Sequence, residues 1–230
     1  MNCDFIASVY RHFEYGRFGR KLEACRFALL PRLKGVRKAL VLGEGDGRFV
    51  ARLVAHCPGI SADVFDTSRQ MIRIAEGRLR AAGVSPLSSI AFHHGDATVA
   101  TFPKNDYDLV ATHFFFDVFS IGELHPLIDR VKQSLRPDGV WLVSEFDLPQ
   151  SGFRRFLARF WLRVMYIFFR CATGLQNQTL PDWRKQLTRA GFRPRIQQSL
   201  ANGFLVSELW EQIPRAQQTA THRDAASEMR

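Results

Sequence analysis

The stretch KALVLGEGDGRFVARLV, residues 38–54, decides the fold. Four apolar residues run into Gly43, Gly45 and Gly47, interleaved with Glu44 and Asp46, and a helical pattern begins at once. A strand that enters a helix through three glycines brings its backbone close to something, because no Cβ stands in the way. The spacing G-x-G-x-G departs from the dinucleotide fingerprint G-x-G-x-x-G, since Arg48 stands where its third glycine belongs. A tight strand-to-helix turn with no ligand is the plain alternative.

Outward from this loop the chain alternates. SADVFD (61–66) reads as a second strand ending in an acid and SRQMIRIAEGRLRAAG (68–83) as a helix closed by Gly83. SIAFHHGDA (89–97) reads as a third strand ending in an acid, and YDLVATHFFF (107–116) as a fourth. IGELHPLIDRVKQSLRPDG (121–139) reads as a helix ended by Pro137 and Gly139, and VWLVSEF (140–146) as a fifth strand. Strands alternating with helices imply a parallel sheet covered on both faces. The ending differs: a helix over 183–191, then two strands around Ala201-Asn202-Gly203 that read as an antiparallel hairpin. The expected fold is therefore α/β and Rossmann-like, seven-stranded, mostly parallel, with helices on both faces.

Ligands of such sheets sit at the carboxyl ends of the strands. Asp66 follows the loop by about twenty residues, where an acid accepts hydrogen bonds from a ribose diol. Asp96 ends the third strand, placed for the amino group of an adenine. Either acid could instead cap the next helix; together with the loop they describe an adenosine pocket.

Composition sets the remaining bounds. The 230 residues are 46% hydrophobic and 23% charged, with a net charge of +10. That charge suits an anionic partner such as RNA or an acidic membrane, or a plain solvated surface. The Arg are spread along the chain and no separate RNA-binding module is visible; a salt-dependent shift on a generic RNA would reveal that function. The four Cys are far apart, no signal peptide is recognisable and no uncharged apolar run reaches about 18 residues. A cytoplasmic protein with free thiols is expected. No metal site is expected, since His93 and His94 point to opposite faces of a strand.

LVLGEGDGRF, VFDTSRQMIRIAEGRL, HHGDA, YDLVATHFFFDVF and SLRPDGVWLVSEF resemble, in order, the motifs of class I S-adenosylmethionine-dependent methyltransferases, most of all the small-molecule branch with the ubiquinone and menaquinone enzymes. LPDWRKQLTRAGF (180–192) is similar to that branch's helix before the hairpin. The resemblance implies one methyltransferase domain over 1–213, with an N-terminal helical cap (1–35) and a helical insertion on the acceptor side (147–180). Residues 214–230 read as a disordered tail. It also implies that Gly43, Glu44 and Gly45 line the methionine part of S-adenosylmethionine, and that Asp66 holds the ribose. Thr67 and Met71 would flank the adenosine, Asp96 and Ala97 meet the adenine, and His113 lie beside the transferred methyl group. The family's acid two residues before the first glycine is here Val41, so its task would pass to Glu44.

His113 and Asp117 are the candidates for orienting the acceptor or removing its proton; Asp117 could instead cap the next helix, and His113 only touch cofactor. No N-P-P-Y-type sequence, which serves methylation of amino groups on adenine or glutamine, is present. Phe114, Phe116 and Phe119 at the fourth strand's mouth suit an apolar or aromatic acceptor, with Phe115 expected in the core. In FRRFLARFWLRVMYIFFR (153–170), Arg155, Arg159 and Arg163 form one stripe beside apolar residues that include Phe160 and Trp161. This helix reads as a lid over the acceptor, a peripheral membrane contact or a dimer surface. The expected function is methyl transfer to O or C of a small hydrophobic, aromatic or lipid-like acceptor, leaving S-adenosylhomocysteine. The alternatives are an RNA methyltransferase or binding protein, and a fold of this class that puts the cofactor to another reaction.

Overall fold

The computed structural model describes residues 19–84, 89–147 and 181–214. The first 18 residues of the expected cap, the insertion beyond Asp147 with Phe160 and Trp161, and the tail beyond residue 214 lie outside the described residues.

The chain begins with α1 (Gly19–Phe27), followed by β1 (Lys38–Leu42), α2 (Arg48–His56), β2 (Ser61–Asp66), α3 (Arg69–Ala81) and β3 (Ile90–His94). Then come β4 (Tyr107–His113), α4 (Ile121–Ser134), β5 (Leu135–Phe146), α5 (Trp183–Arg189), β6 (Phe192–Leu200) and β7 (Leu205–Gln212). The seven strands form one sheet in the order β3-β2-β1-β4-β5-β7-β6, and β7 alone runs antiparallel to its neighbours. Strand order reverses between β1 and β4, which opens the crevice at their carboxyl ends.

Alternation on buried strands builds two cores. Leu40, Leu42, Val110, Trp141 and Val143 face α4 and α5. Ala39, Val41, Leu109, Ala111 and Leu142 face α2, α3 and the 29–36 segment. β1 is buried on both faces, which is why its sequence is a continuous apolar run rather than an alternating one. The tip between β6 and β7 holds Ala201, Asn202 and Gly203 at φ of 51°, 58° and 86°, a conformation that Asn and Gly adopt readily.

Two boundaries differ from the sequence reading. α4 stops at Ser134, and Pro137 and Gly139 lie inside β5, which begins at Leu135. Gly139 is needed there because a Cβ would come within 2.8 Å of the Tyr107 carbonyl oxygen. β4 ends at His113, three residues earlier than expected, and Phe116–Val118 form a short 3-10 turn. The carboxyl-edge crevice is therefore roofed by a turn and not by strand.

Candidate cofactor and acceptor site

The glycine loop divides its work among three positions. All three glycines have positive φ, at 67°, 72° and 83°. A Cβ on Gly43 would lie 2.5 Å from the Phe115 ring, and one on Gly47 would lie 2.6 Å from Cα of Ala75 in α3. Those two glycines let neighbouring elements close in. Gly45 has open space where its Cβ would be, so no neighbouring element packs on it there.

Asp66 is built into this loop. Its Oδ2 accepts from the Gly45 N–H at 2.9 Å and its Oδ1 from the Ser68 N–H at 2.8 Å. Each carboxylate oxygen has a further lone pair, so the group retains capacity for two hydroxyl donors. Burial pushes its carboxyl above the usual range, against the pull of those backbone bonds. The helix-cap alternative for Asp66 is met elsewhere: Ser68 caps α3 by accepting from Met71 N–H. Met71 is half-buried and Thr67 exposed, flanking the end of β2. Asp96 is exposed, and its Oδ1 accepts from the Thr98 N–H and hydroxyl, which closes a local turn. Among the described residues its Oδ2 accepts nothing from the protein. Ala97 is buried, its carbonyl held by Arg130 at 2.8 Å.

Glu44 is the buried acid of the loop. Val41 is fully buried among Phe49 and Val50. Glu44 lies three residues later and turns back: its Oε1 accepts from Phe49 N–H at 2.9 Å and Val50 N–H at 3.2 Å, capping α2. Gly47, at the N-cap position, has no side chain for this task. Oε2 of Glu44 is buried with no hydrogen-bond partner among the described residues. Burial pushes this carboxyl up to about 8, opposed by its bond from Val50 and the charge of Arg26.

His113 ends β4 with both ring nitrogens buried and unpartnered among the described residues, its ring edge-on to Phe49 at 4.2 Å. Burial, and then the charge of Arg26, hold it well below the usual histidine range, so it is neutral at pH 7. Arg26, from α1, also stacks over Phe114 at 5.5 Å. Asp117 is buried, and it does not cap α4: Ser120 and Glu123 do so as a capping box.

The phenylalanines separate. Phe114 and Phe119 are half-buried; Phe114 packs on Phe146 at 4.9 Å and Phe119 on Phe115 at 4.8 Å. Phe116 has no exposed surface and packs against Trp141 and Trp183 at 5.7 and 5.9 Å. This corrects the expectation that Phe116 lines an acceptor pocket: the chain turns after His113, and the turn drives its side chain into the core. Phe115 is buried as expected, with its ring closing on Gly43. Glu145 and Arg26 went unnoticed in the sequence. A lone acid in the apolar run VWLVSEF was the available signal for Glu145.

An open cavity of about 830 Å³ lies elsewhere, near the amino ends of β1, β4 and β5, between Arg32, Lys34, Arg136 and Arg195. It contains none of the residues above. Among the described residues no group of three or more metal-ligating side chains occurs, and no helix is long and apolar enough to cross a membrane.

This sheet order, with its glycine loop and strand-end acids, defines the class I S-adenosylmethionine-dependent methyltransferase fold. Residues 39–139 match the family model described as Methyltransferase domain. Solved structures agree in fold. The mitomycin 7-O-methyltransferase MmcR is 13% identical at a TM-score of 0.67, over 90% of this chain and 58% of that one. The S-adenosylmethionine-dependent methyltransferase SibL is 17% identical at a TM-score of 0.62, over 84% and 55%. The N-methyltransferase NodS from Bradyrhizobium japonicum WM9 is 14% identical at a TM-score of 0.60, over 87% and 99%. The chain thus spans little more than half the length of the first two. No curated protein sequence matches it.

Proposed function

We propose that the protein transfers the methyl group of S-adenosylmethionine to oxygen or carbon of a small hydrophobic, aromatic or lipid-like acceptor. The observation that carries this reading is Asp66: a half-buried carboxylate fixed by Gly45 and Ser68 N–H groups beside the open face of the loop. In this reading Asp66 takes the two ribose hydroxyls and Oδ2 of Asp96 the adenine amino group. Thr67, Met71 and Ala97 flank the base. Gly43 and Gly45 pass the methionine part, whose ammonium meets the unpartnered Oε2 of Glu44. When bound, S-adenosylmethionine supplies a methyl group already activated by its sulfonium.

The chain's own task is then to align a nucleophile and exclude water, which supplies most of the rate. His113, neutral and desolvated, lies where it can orient the acceptor or take its proton, with Asp117 as the second candidate. Phe114 and Phe119 form part of an apolar wall for the acceptor. Names of similar proteins support transfer to oxygen: MmcR is an O-methyltransferase, and a Nostoc punctiforme protein of the same fold carries an O-methyltransferase name.

Two results are expected. Asp66→Ala weakens S-adenosylhomocysteine in calorimetry by about 1–3 kcal/mol, since polar groups are left unmatched in a buried site. Unchanged affinity would remove Asp66 from the site. Affinity is also expected to rise with pH up to about 8, because only ionised Glu44 attracts the ammonium and its carboxyl titrates there. Below that pH the ionised fraction falls about tenfold per unit. Glu44→Gln flattens this dependence, and an identical slope in the variant would exclude Glu44.

A further inference from the structure

Glu145 and Asp117 are two buried acids that meet beside His113, and neither touches the cofactor positions. Glu145 is 0% exposed and Asp117 6%. Oε1 of Glu145 accepts from both Phe115 and Phe116 N–H groups at 2.7 Å. Its Oε2, and Oδ1 of Asp117 one residue further along the same turn, are buried with no donor among the described residues. The turn they share begins at Phe114, a non-glycine residue at φ 52°. Such a conformation persists only where surrounding contacts over-determine it.

We propose that Glu145 and Asp117 share one proton, and that this shared proton makes Glu145 the positioning residue for the 114–118 turn. Glu145 bonds the N–H groups of the two residues that precede Asp117; two buried carboxylates on one turn repel when both ionise, and a single proton between them would relieve this. Backbone N–H groups of Phe115, Phe116 and Phe146 act on Glu145, and the one proton belongs to the pair rather than to either residue. Burial raises both groups, and for Glu145 the charge of Asp117 adds to the effect.

Other titratable groups are placed so that they do not neutralise the pair. The Cys25 thiol on α1 is pushed up to about 12 by burial and by Glu145, and stays protonated. His113 on β4 is neutral, and Arg26 on α1 acts on Glu44, His113 and Cys25. Arg184 on α5 is engaged by Asp147 and by Glu208 of β7.

The consequence reaches both halves of the site. The turn carries Phe115, whose ring rests on Gly43, and follows His113 and Phe114. Loss of the shared proton would set the carboxylates against each other and loosen the turn at alkaline pH. That this turn forms an acceptor wall rests on the methyltransferase reading; the proton sharing does not.

The reporter is built in, since Phe116 lies between Trp141 and Trp183. The experiment titrates tryptophan fluorescence and the infrared band of protonated carboxyls in wild type, Asp117→Asn and Glu145→Gln. S-adenosylhomocysteine binding is measured in parallel. Asn and Gln supply a permanent N–H in place of the shared proton, so both variants keep the closed turn. Wild type is expected to show an alkaline fluorescence transition that both variants lack, and a protonated-carboxyl band that each variant diminishes while that of Glu44 remains. A wild type without the transition, or variants with the wild-type transition and band, would overturn the proposal. Failure of S-adenosylhomocysteine to bind, with the transition and band behaving as expected, would remove the methyltransferase reading and leave the shared proton standing.

Discussion

Gly47→Ala is expected to lower the stability of the folded protein by about 2–5 kcal/mol, the sum of a left-handed backbone penalty and overpacking. The backbone term arises because φ at Gly47 is 83°. The packing term arises because the new Cβ would sit 2.6 Å from Cα and 2.7 Å from Cβ of Ala75. Neither atom belongs to a flexible side chain that could swing away, so α2 and α3 must separate. Chemical denaturation of the variant checks this, with a lower midpoint and an unchanged slope. Gly45→Ala is the control: it carries the backbone penalty but meets nothing within 4 Å, so its loss of stability is smaller. Equal losses in the two variants would mean that packing against Ala75 is not what Gly47 provides.

Asp63→Ala is expected to cost about 2–3 kcal/mol, chiefly by stranding a buried hydroxyl. Asp63 is 3% exposed and ties three elements together. Its Oδ1 bonds His93 at 2.9 Å, and its Oδ2 accepts from Lys104 at 2.7 Å and Tyr107 at 2.9 Å. Lys104 and His93 are about a third exposed and can return to water, which limits their share. The Tyr107 hydroxyl cannot, because Tyr107 is fully buried. The acid side of the stability curve gives a second readout. Burial raises the Asp63 carboxyl, but the bonds from Lys104, His93 and Tyr107 outweigh it and hold it below the usual range. Its contribution is therefore complete above the unfolded value of about 4 and is lost as pH falls through the lower folded value. The variant should lack that part of the acid loss, and a parallel acid limb would contradict the assignment.

The sequence pattern carried the sheet well because its signals are local. A loop of three glycines, acids at two strand ends and an Asn-Gly tip all state a backbone requirement where they stand. The roles within the loop were less legible. Whether a glycine serves a ligand or a neighbour depends on what approaches it, and Ala75 and Phe115 come from 28 and 72 residues away in the chain. The same limit governs HFFFDVF. A period-two reading continues β4 through Phe116 and aims its ring at the mouth, but the strand ends at His113 and the turn inverts the assignment. Glu44 was readable as a displaced acid, but its capping of α2 was not, because the carboxylate folds back on N–H groups five and six residues ahead. Glu145 shows the converse: an acid in an apolar strand announces an unusual partner without naming Phe115, Phe116 or Asp117.

The central claim is that the carboxyl ends of β1, β2 and β3 hold S-adenosylmethionine and its demethylated product. Calorimetric titration of the full chain with S-adenosylhomocysteine, with Asp66→Ala and a nicotinamide dinucleotide in parallel, tests it most directly. The account predicts one binding site for S-adenosylhomocysteine, weakened in the variant, and none for the dinucleotide. Binding of the dinucleotide with no binding of S-adenosylmethionine or S-adenosylhomocysteine would contradict it.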